Sequence, residues 1–274
     1  MTFYTNMSWP EDPYGTGQLW RSAPQLAASF AALFVDDGNH AVPIAYAVVY
    51  LPLHRTKLVD VTGGPRFGFR AATAITEADI PALLKLLELD ASRARRLARI
   101  VTGHQLADAF HTIVAVASDA GAYRGIRALA YAWMIGENGP GMANLAEATT
   151  SEGDVAEAAA VAGISPGSVQ RAFEPQETLD LLLAKSHIPD TPGLSDEARA
   201  ADGEVLRQTS QWFGACATES ALITGLTALH RVGHYRWDSP LDIGEAMDAN
   251  LGDCFPTQTF GATCTTLSQV QLSV

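Results

Sequence analysis

His230 and His234 stand four residues apart, the spacing at which a continuing helix would offer two imidazoles to one zinc ion. Gly233 lies between them, and Tyr235-Arg236-Trp237-Asp238 follows, so the same stretch also reads as a helix end. His104 follows Gly103 at an expected strand-to-helix turn, where a helix N-terminus favours anions. A histidine that only holds the turn by hydrogen bonding would carry the same signature. His111, seven residues on, would share its helix face. Asp36 and Asp37 stand before Gly38-Asn39, which is good turn chemistry by itself. Arg93, Arg95, Arg96 and Arg99 mostly share one helix face, beside a groove or simply in solvent. Cys216, Cys254 and Cys264 form no CxxC and are odd in number, which argues for a reducing compartment.

The composition limits what these groups can act on. The chain has 274 residues, 47% of them apolar, enough for a large core. Its 30 acids outweigh 18 bases, for a net charge of −12. A chain that grips extended duplex DNA usually shows a basic stripe, so that partner is excluded. A short single-stranded nucleic acid or a nucleotide-like small molecule is less affected, because bound cations can supply the positive charge. No apolar run approaches the ~20 residues a membrane span needs. No basic start followed by an apolar stretch marks a leader, so a cytoplasmic protein is expected.

The elements that must position these residues begin after an irregular, aromatic-rich N-terminal arm over 1–28. Residues 30–35 form an apolar strand that stops at the Asp36-Asp37-Gly38-Asn39 turn. Residues 42–51 are β-branched and aromatic, a second strand, and 57–61 are expected as a third, closing an antiparallel meander. The period then changes. Thr76-Glu77-Ala78-Asp79 is a capping-type start before Ile80, Leu83, Leu84, Leu86 and Leu87 at helical spacing. Residues 100–102 read as a short strand, 106–118 and 124–135 as helices. Beyond 150 the chain reads mainly helical: 154–161, 168–173 after a Gly163 turn, and 204–229. Residues 186–203 look like an exposed insertion and 251–274 like a C-terminal tail. One domain over 29–250 is the economical organisation.

The order of pieces resembles the DEDD-type 3′-5′ exonucleases, a superfamily on a ribonuclease H-like fold. A strand ends in Asp36-Asp37-Gly38, and two further strands follow. Ile75-Thr76-Glu77 is similar to the family's helix start, and Gly103-His104-Gln105-Leu106-Ala107-Asp108 to its Gly-His-Asn motif. Residues 155–164 resemble its "LaeLa…GI" helix, and Glu219-Ser220-Ala221-Leu222-Ile223-Thr224-Gly225 its last motif. The resemblance covers roughly residues 30–118 and, more weakly, 155–229. It implies an α/β fold with a mixed sheet flanked by helices. It also implies two Mg²⁺ or Mn²⁺ ions held by four carboxylates, metal-dependent hydrolysis of short oligonucleotides, and a histidine as general base.

Departures from the family pattern fall on the residues that matter. Where the family has its first-motif Glu, this chain has Gly38; where it has its second-motif Asp, this chain has Ala109, with Asp108 one residue early. One residue is a rotation of about 100° on a helix. Glu219 stands at the general-base position and Thr224 at the last Asp. Two expectations follow. In one, Asp36, Asp37, Asp108 and Glu219 hold the metal ions in a shifted geometry, with Asp36, Asp108, Glu219 and His104 as the catalytic set. In the other, hydrolysis is lost and the scaffold binds a partner or a small metabolite.

Residues 154–173 also resemble a DNA-binding helix-turn-helix, with Ala159, Gly163, Ile164 and Val169 at its small, turn and core positions. The surrounding Glu152, Asp154, Glu157, Glu174 and Glu177 would repel phosphates. Two packed helices joined by a glycine turn are the preferred reading.

Overall fold

The structure, a computed structural model, describes residues 1–7, 25–36, 41–54, 57–74, 77–103, 106–116, 123–134, 152–173, 196–238 and 240–251. Strands β1 (Thr2–Thr5), β2 (Gln25–Asp36) and β3 (Ala41–Leu53) come first. β2 and β3 pair antiparallel from Gln25 opposite Leu53 to Asp36 opposite Ala41, with a bulge at Leu33/Phe34. Residues 43–51 of β3 are buried without alternation. That is the mark of a strand covered by helices on both faces.

The expected third strand at 57–61 is corrected. Only Val59–Asp60 there is extended (β4), and it pairs outside the main sheet. The third meander strand is β5, Gly68–Thr73, antiparallel to β3. All six residues of β5 are buried, whereas Lys57, Leu58 and Asp60 are exposed. Unpaired charges cannot lie between two helical layers; the side chains of β5 are mostly small, and its one charge, Arg70, is paired with the buried Asp90. Within the N-terminal stretch, β1 adds to the outer edge of β5.

After a 3-10 turn over Glu77–Asp79 comes helix α1 (Ile80–Leu97). The Asp79 side chain makes no capping bond. Strand β6 (Ala98–Gly103) follows and lies parallel to β2, so the sheet order is β1-β5-β3-β2-β6. Helices α2 (Leu106–Val116) and α3 (Arg124–Met134) join α1 over one face, around Phe30, Tyr46, Tyr50, Leu83, Leu87, Phe110 and Ile126. The Glu88 carboxylate accepts the N–H groups of Gly125 (2.6 Å) and Ile126 (3.0 Å) at the start of α3. Side-chain acceptors on a helix's first N–H groups stabilise it. Glu88→Ala is therefore expected to cost about 1 kcal/mol, read from urea unfolding curves.

The other face carries α4 (Glu152–Val161), α5 (Pro166–Phe173), α6 (Asp196–Arg231), β7 (Tyr235–Arg236) and α7 (Ile243–Leu251). β7 is the parallel partner of β4. Helix α6 begins inside the stretch expected as an insertion. From residue 212 to residue 229 all its residues are buried. A helix enclosed on all sides is a core element, not an amphipathic cover. Both α4 and α6 end on a left-handed glycine, Gly163 (φ 82°) and Gly233 (φ 73°). Each end satisfies its carbonyls in the same way. Ile164 and Gly163 N–H groups donate to Ala159 and Ala160, and His234 and Gly233 donate to Leu229 and His230. The fold is thus α/β, a mixed sheet between helical layers, with a mainly helical second half among the described residues. No helix among them is long and apolar enough to cross a membrane.

Candidate functional site

Asp36 is the last residue of β2, opposite Ala41. Asp108 is in the first turn of α2, and Ala109 beside it is half-buried. Asp37 and His104 lie outside the described residues. Because β2 and β6 are parallel, Asp36 and Gly103 close two strands at the same end of the sheet. Their ladder finishes at Phe30 opposite Gly103, so β2 continues six residues further, about 20 Å at ~3.3 Å per residue. Helix α2 packs beside that ladder end: Phe110 meets Phe30 edge-on, ring centroids 5.7 Å apart.

Glu219 lies in the enclosed part of α6, only 3% exposed. The path of the helix fixes its level. The Ser210 hydroxyl bonds Tyr4 (2.9 Å) and Thr73, and Thr73 stands in the row of Ala45 and Leu33. Gly225 rests on Ser29 and Leu51. Glu219 therefore passes over rows between Leu33 and Ser29, short of Asp36 by about 10–20 Å of strand. α2 and α6 cover opposite faces of the sheet. Thr224, at the position of the family's last acid, is fully buried. Among the described residues no three His, Cys, Asp or Glu side chains gather as a metal site.

Other sequence signals resolve more simply. α6 stops at Arg231, and the Gly233 cap takes His234 off its helical path, so the two histidines do not sit on one continuing helix. His230 instead packs against Trp237 with the rings tilted, centroids 4.8 Å apart. In the helix-turn-helix stretch, the turn after Gly163 pairs with Leu241. Ser168 of α5 is buried and accepts the Ile243 N–H (3.1 Å), and Val169 is also buried. These are two packed helices joined by a glycine turn.

Arg95, Arg96 and Arg99 are exposed, and an Arg99 guanidinium N–H donates to the Gln25 side-chain carbonyl. Gln25 opens β2, so this cluster is eleven residues of strand from Asp36, about 35 Å. It cannot steer phosphates to the Asp36 end.

The polar cluster that does assemble was missed. Asp90 of α1 is fully buried and receives the Arg70 Nε–H (2.8 Å) and the Tyr46 hydroxyl (2.8 Å). Arg93 stands 3.7 Å away and the Phe3 ring lies over Arg70 at 4.6 Å. Burial pushes the Asp90 carboxyl above the usual carboxylate range, against the pull of Arg70 and Tyr46. Burial first, then the Asp90 charge, holds the Tyr46 phenol well above its ordinary value. Burial also lowers Arg93. The cluster ties α1 to β3 and β5 beneath Phe3; enclosed as it is, it positions elements and offers no carboxylate to a substrate. One signal could have found it. Asp90 falls on the same apolar stripe as Leu83, Leu87 and Ala94, and an acid there needs a buried partner. No family model matches this chain, and no curated protein matches it.

Proposed function

We propose that the chain is an exonuclease-like protein on a ribonuclease H-like sheet that has lost the four-carboxylate hydrolytic centre and works by binding a partner or small metabolite. Support for the scaffold comes from the strand order. A three-stranded antiparallel meander followed by a helical crossover to a strand parallel to the first is the arrangement that resemblance implies. The loss of hydrolysis rests on one observation. Thr224 and Glu219, at the positions of the family's last acid and its general base, lie in the part of α6 enclosed on all sides. A neutral hydroxyl does not supply the negative charge of a carboxylate ligand, a buried one does not reach a metal ion at the surface, and a general base must reach the attacking water.

Incubation with a labelled short oligonucleotide and Mn²⁺ tests this. The expected result is cleavage no faster than that of an Asp36→Ala/Asp108→Ala variant. Calorimetry should likewise find no Mn²⁺ uptake that Asp36→Ala removes. Cleavage that both substitutions abolish would overturn the reading. It would favour the second one, in which Asp36, Asp37, Asp108 and Glu219 hold Mg²⁺ or Mn²⁺ and cut short single strands. What favours that second reading is that β2 and β6 run the same way, with Asp36 closing one strand and Asp108 in the helix that follows the other.

A further inference from the structure

Basic side chains from three separate segments collect at one end of this acidic molecule. Gln25 pairs with Leu53 at the amino end of β2, and Arg99 at the start of β6 reaches Gln25. Arg95 and Arg96 occupy the last turn of α1, immediately before β6. On the far side of the ladder, His54 and Lys57 follow β3. The Tyr235 hydroxyl donates to the Pro52 carbonyl (2.6 Å), and Val59 N–H donates to the His234 carbonyl (2.9 Å). These bonds bring Arg231 and the end of α6 to the same end of the sheet, on the face opposite α1. Lys57, Arg95, Arg96, Arg99 and Arg231 are all exposed. Among the described residues none of the five is ion-paired.

Among the described residues, the local acids offset only part of this charge. Asp60 is engaged by Thr62 and by Arg236 (3.1 Å), which hold its carboxyl below the usual range. Asp238 is exposed nearby. The C-termini of α1 and α6 each contribute about half a negative charge, less than the five formal cations. Lys57 and Arg99 are not on helices at all, so dipole complementation does not account for them.

Two exposed aliphatic residues are interleaved with the cations: Leu58 beside Lys57 (46% exposed) and Val232 beside Arg231 (49%). Among the described residues at this end, the Tyr235 and Trp237 rings are buried at 2% and 9%. Bases of a single strand would find no stacking platform among the described residues. We propose that this end of the molecule is a docking surface for an acidic protein segment that carries aliphatic side chains. The cations meet its carboxylates and steer its approach, and Leu58 and Val232 take its apolar groups. The proposal does not depend on whether the scaffold hydrolyses anything.

The test uses the full chain and a fluorescent peptide of alternating Asp and Leu, followed by anisotropy at rising salt. Parallel probes are the same peptide with Ser for Leu, and a short oligothymidylate. The Asp/Leu peptide should bind in a salt-dependent way. Lys57→Glu/Arg96→Glu/Arg231→Glu should weaken it at least about tenfold, and Leu58→Ser/Val232→Ser about threefold or more. All five positions are exposed, so circular dichroism and melting should be unchanged, which separates lost binding from lost folding. Peptide binding that survives the charge reversal, or no retention at low salt, overturns the proposal. So does an oligothymidylate that binds more tightly and is released by the same reversal, which would make this a nucleic-acid surface. Self-association that the reversal abolishes would make a second copy the occupant and overturn it equally.

Discussion

Arg70→Met will lower the stability of the protein by about 3–5 kcal/mol, a drop of roughly 10 °C or more in melting temperature. Arg70 is the nearest counter-charge to Asp90, and both are buried. Methionine fills the space of the arginine stem but leaves a carboxylate in a low-dielectric site with the Tyr46 hydroxyl as its one close hydrogen bond and the half-buried Arg93, 3.7 Å away, as its remaining counter-charge. Breaking a buried pair from one side costs more than the pair contributes, because the abandoned charge keeps its desolvation penalty. Arg70→Met/Asp90→Asn removes both charges, and the amide oxygen can still accept from Tyr46, so most of the loss should be regained.

The pH dependence has a definite sign. Asp90 titrates above the usual carboxylate range because burial outweighs Arg70 and Tyr46. A group whose folded value is raised contributes stability that is complete below its unfolded value and is lost as pH rises through the folded value. Without Arg70 the folded value rises further. The deficit of Arg70→Met should therefore be greatest at neutral pH and shrink on acidification, as Asp90 takes up a proton. Urea titrations at neutral and mildly acid pH measure this. A loss below about 1 kcal/mol, or a deficit that grows in acid, would show that Asp90 is not an ionised partner of Arg70.

The same pair explains what could be read in advance. β3 was legible because aromatic and β-branched residues over 42–51 leave no competing period, whereas of β2 only the apolar run 30–35 was, its first residues falling in the stretch read as an irregular arm. α2, α3 and α5 were legible from apolar spacing, within about two residues at their ends. β5 was not, because Gly68-Phe69-Arg70-Ala71-Ala72-Thr73 looks like a loop. Its alanines make room for helices on both faces, and its arginine is tolerated only because Asp90 arrives from 20 residues downstream. No local pattern carries that information. Lys57–Val61 reads as the strand instead because Leu58, Val59 and Val61 have strand propensity, yet their charged neighbours suit an exposed two-residue pairing with β7. For the acids the limit is different. Type and order along the chain placed Asp36 at a strand end and Asp108 at a helix start, but not which face α6 would cover. The enclosure of Glu219 depends on that choice.

Gly225→Val should destabilise the protein by about 3 kcal/mol, although glycine inside a helix is ordinarily a weakness. In an isolated helix even Gly225→Ala would gain about 1 kcal/mol. Here a β-carbon at position 225 would stand 2.8 Å from the Ser29 β-carbon and 2.9 Å from a Leu51 methyl. The leucine can move. The Ser29 β-carbon is fixed to the backbone of β2, so relief requires α6 to lift from the sheet. That helix is enclosed from residue 212 to residue 229, and lifting it disturbs packing on every side. The overlap outweighs the propensity gain, so Gly225→Ala should still lose about 1–2 kcal/mol. Valine adds two γ-carbons and a restricted χ1, which deepens the loss. The decisive measurement is a double-mutant cycle with Ser29→Gly. That substitution alone weakens a central strand by about 1 kcal/mol. Combined with Gly225→Ala it should be less harmful than the sum, with a favourable coupling of about 1 kcal/mol or more, because the two β-carbons compete for one space. Simple additivity of the two losses would mean that α6 does not press on β2 at this point, and Glu219 would then lack the close sheet contact that encloses it.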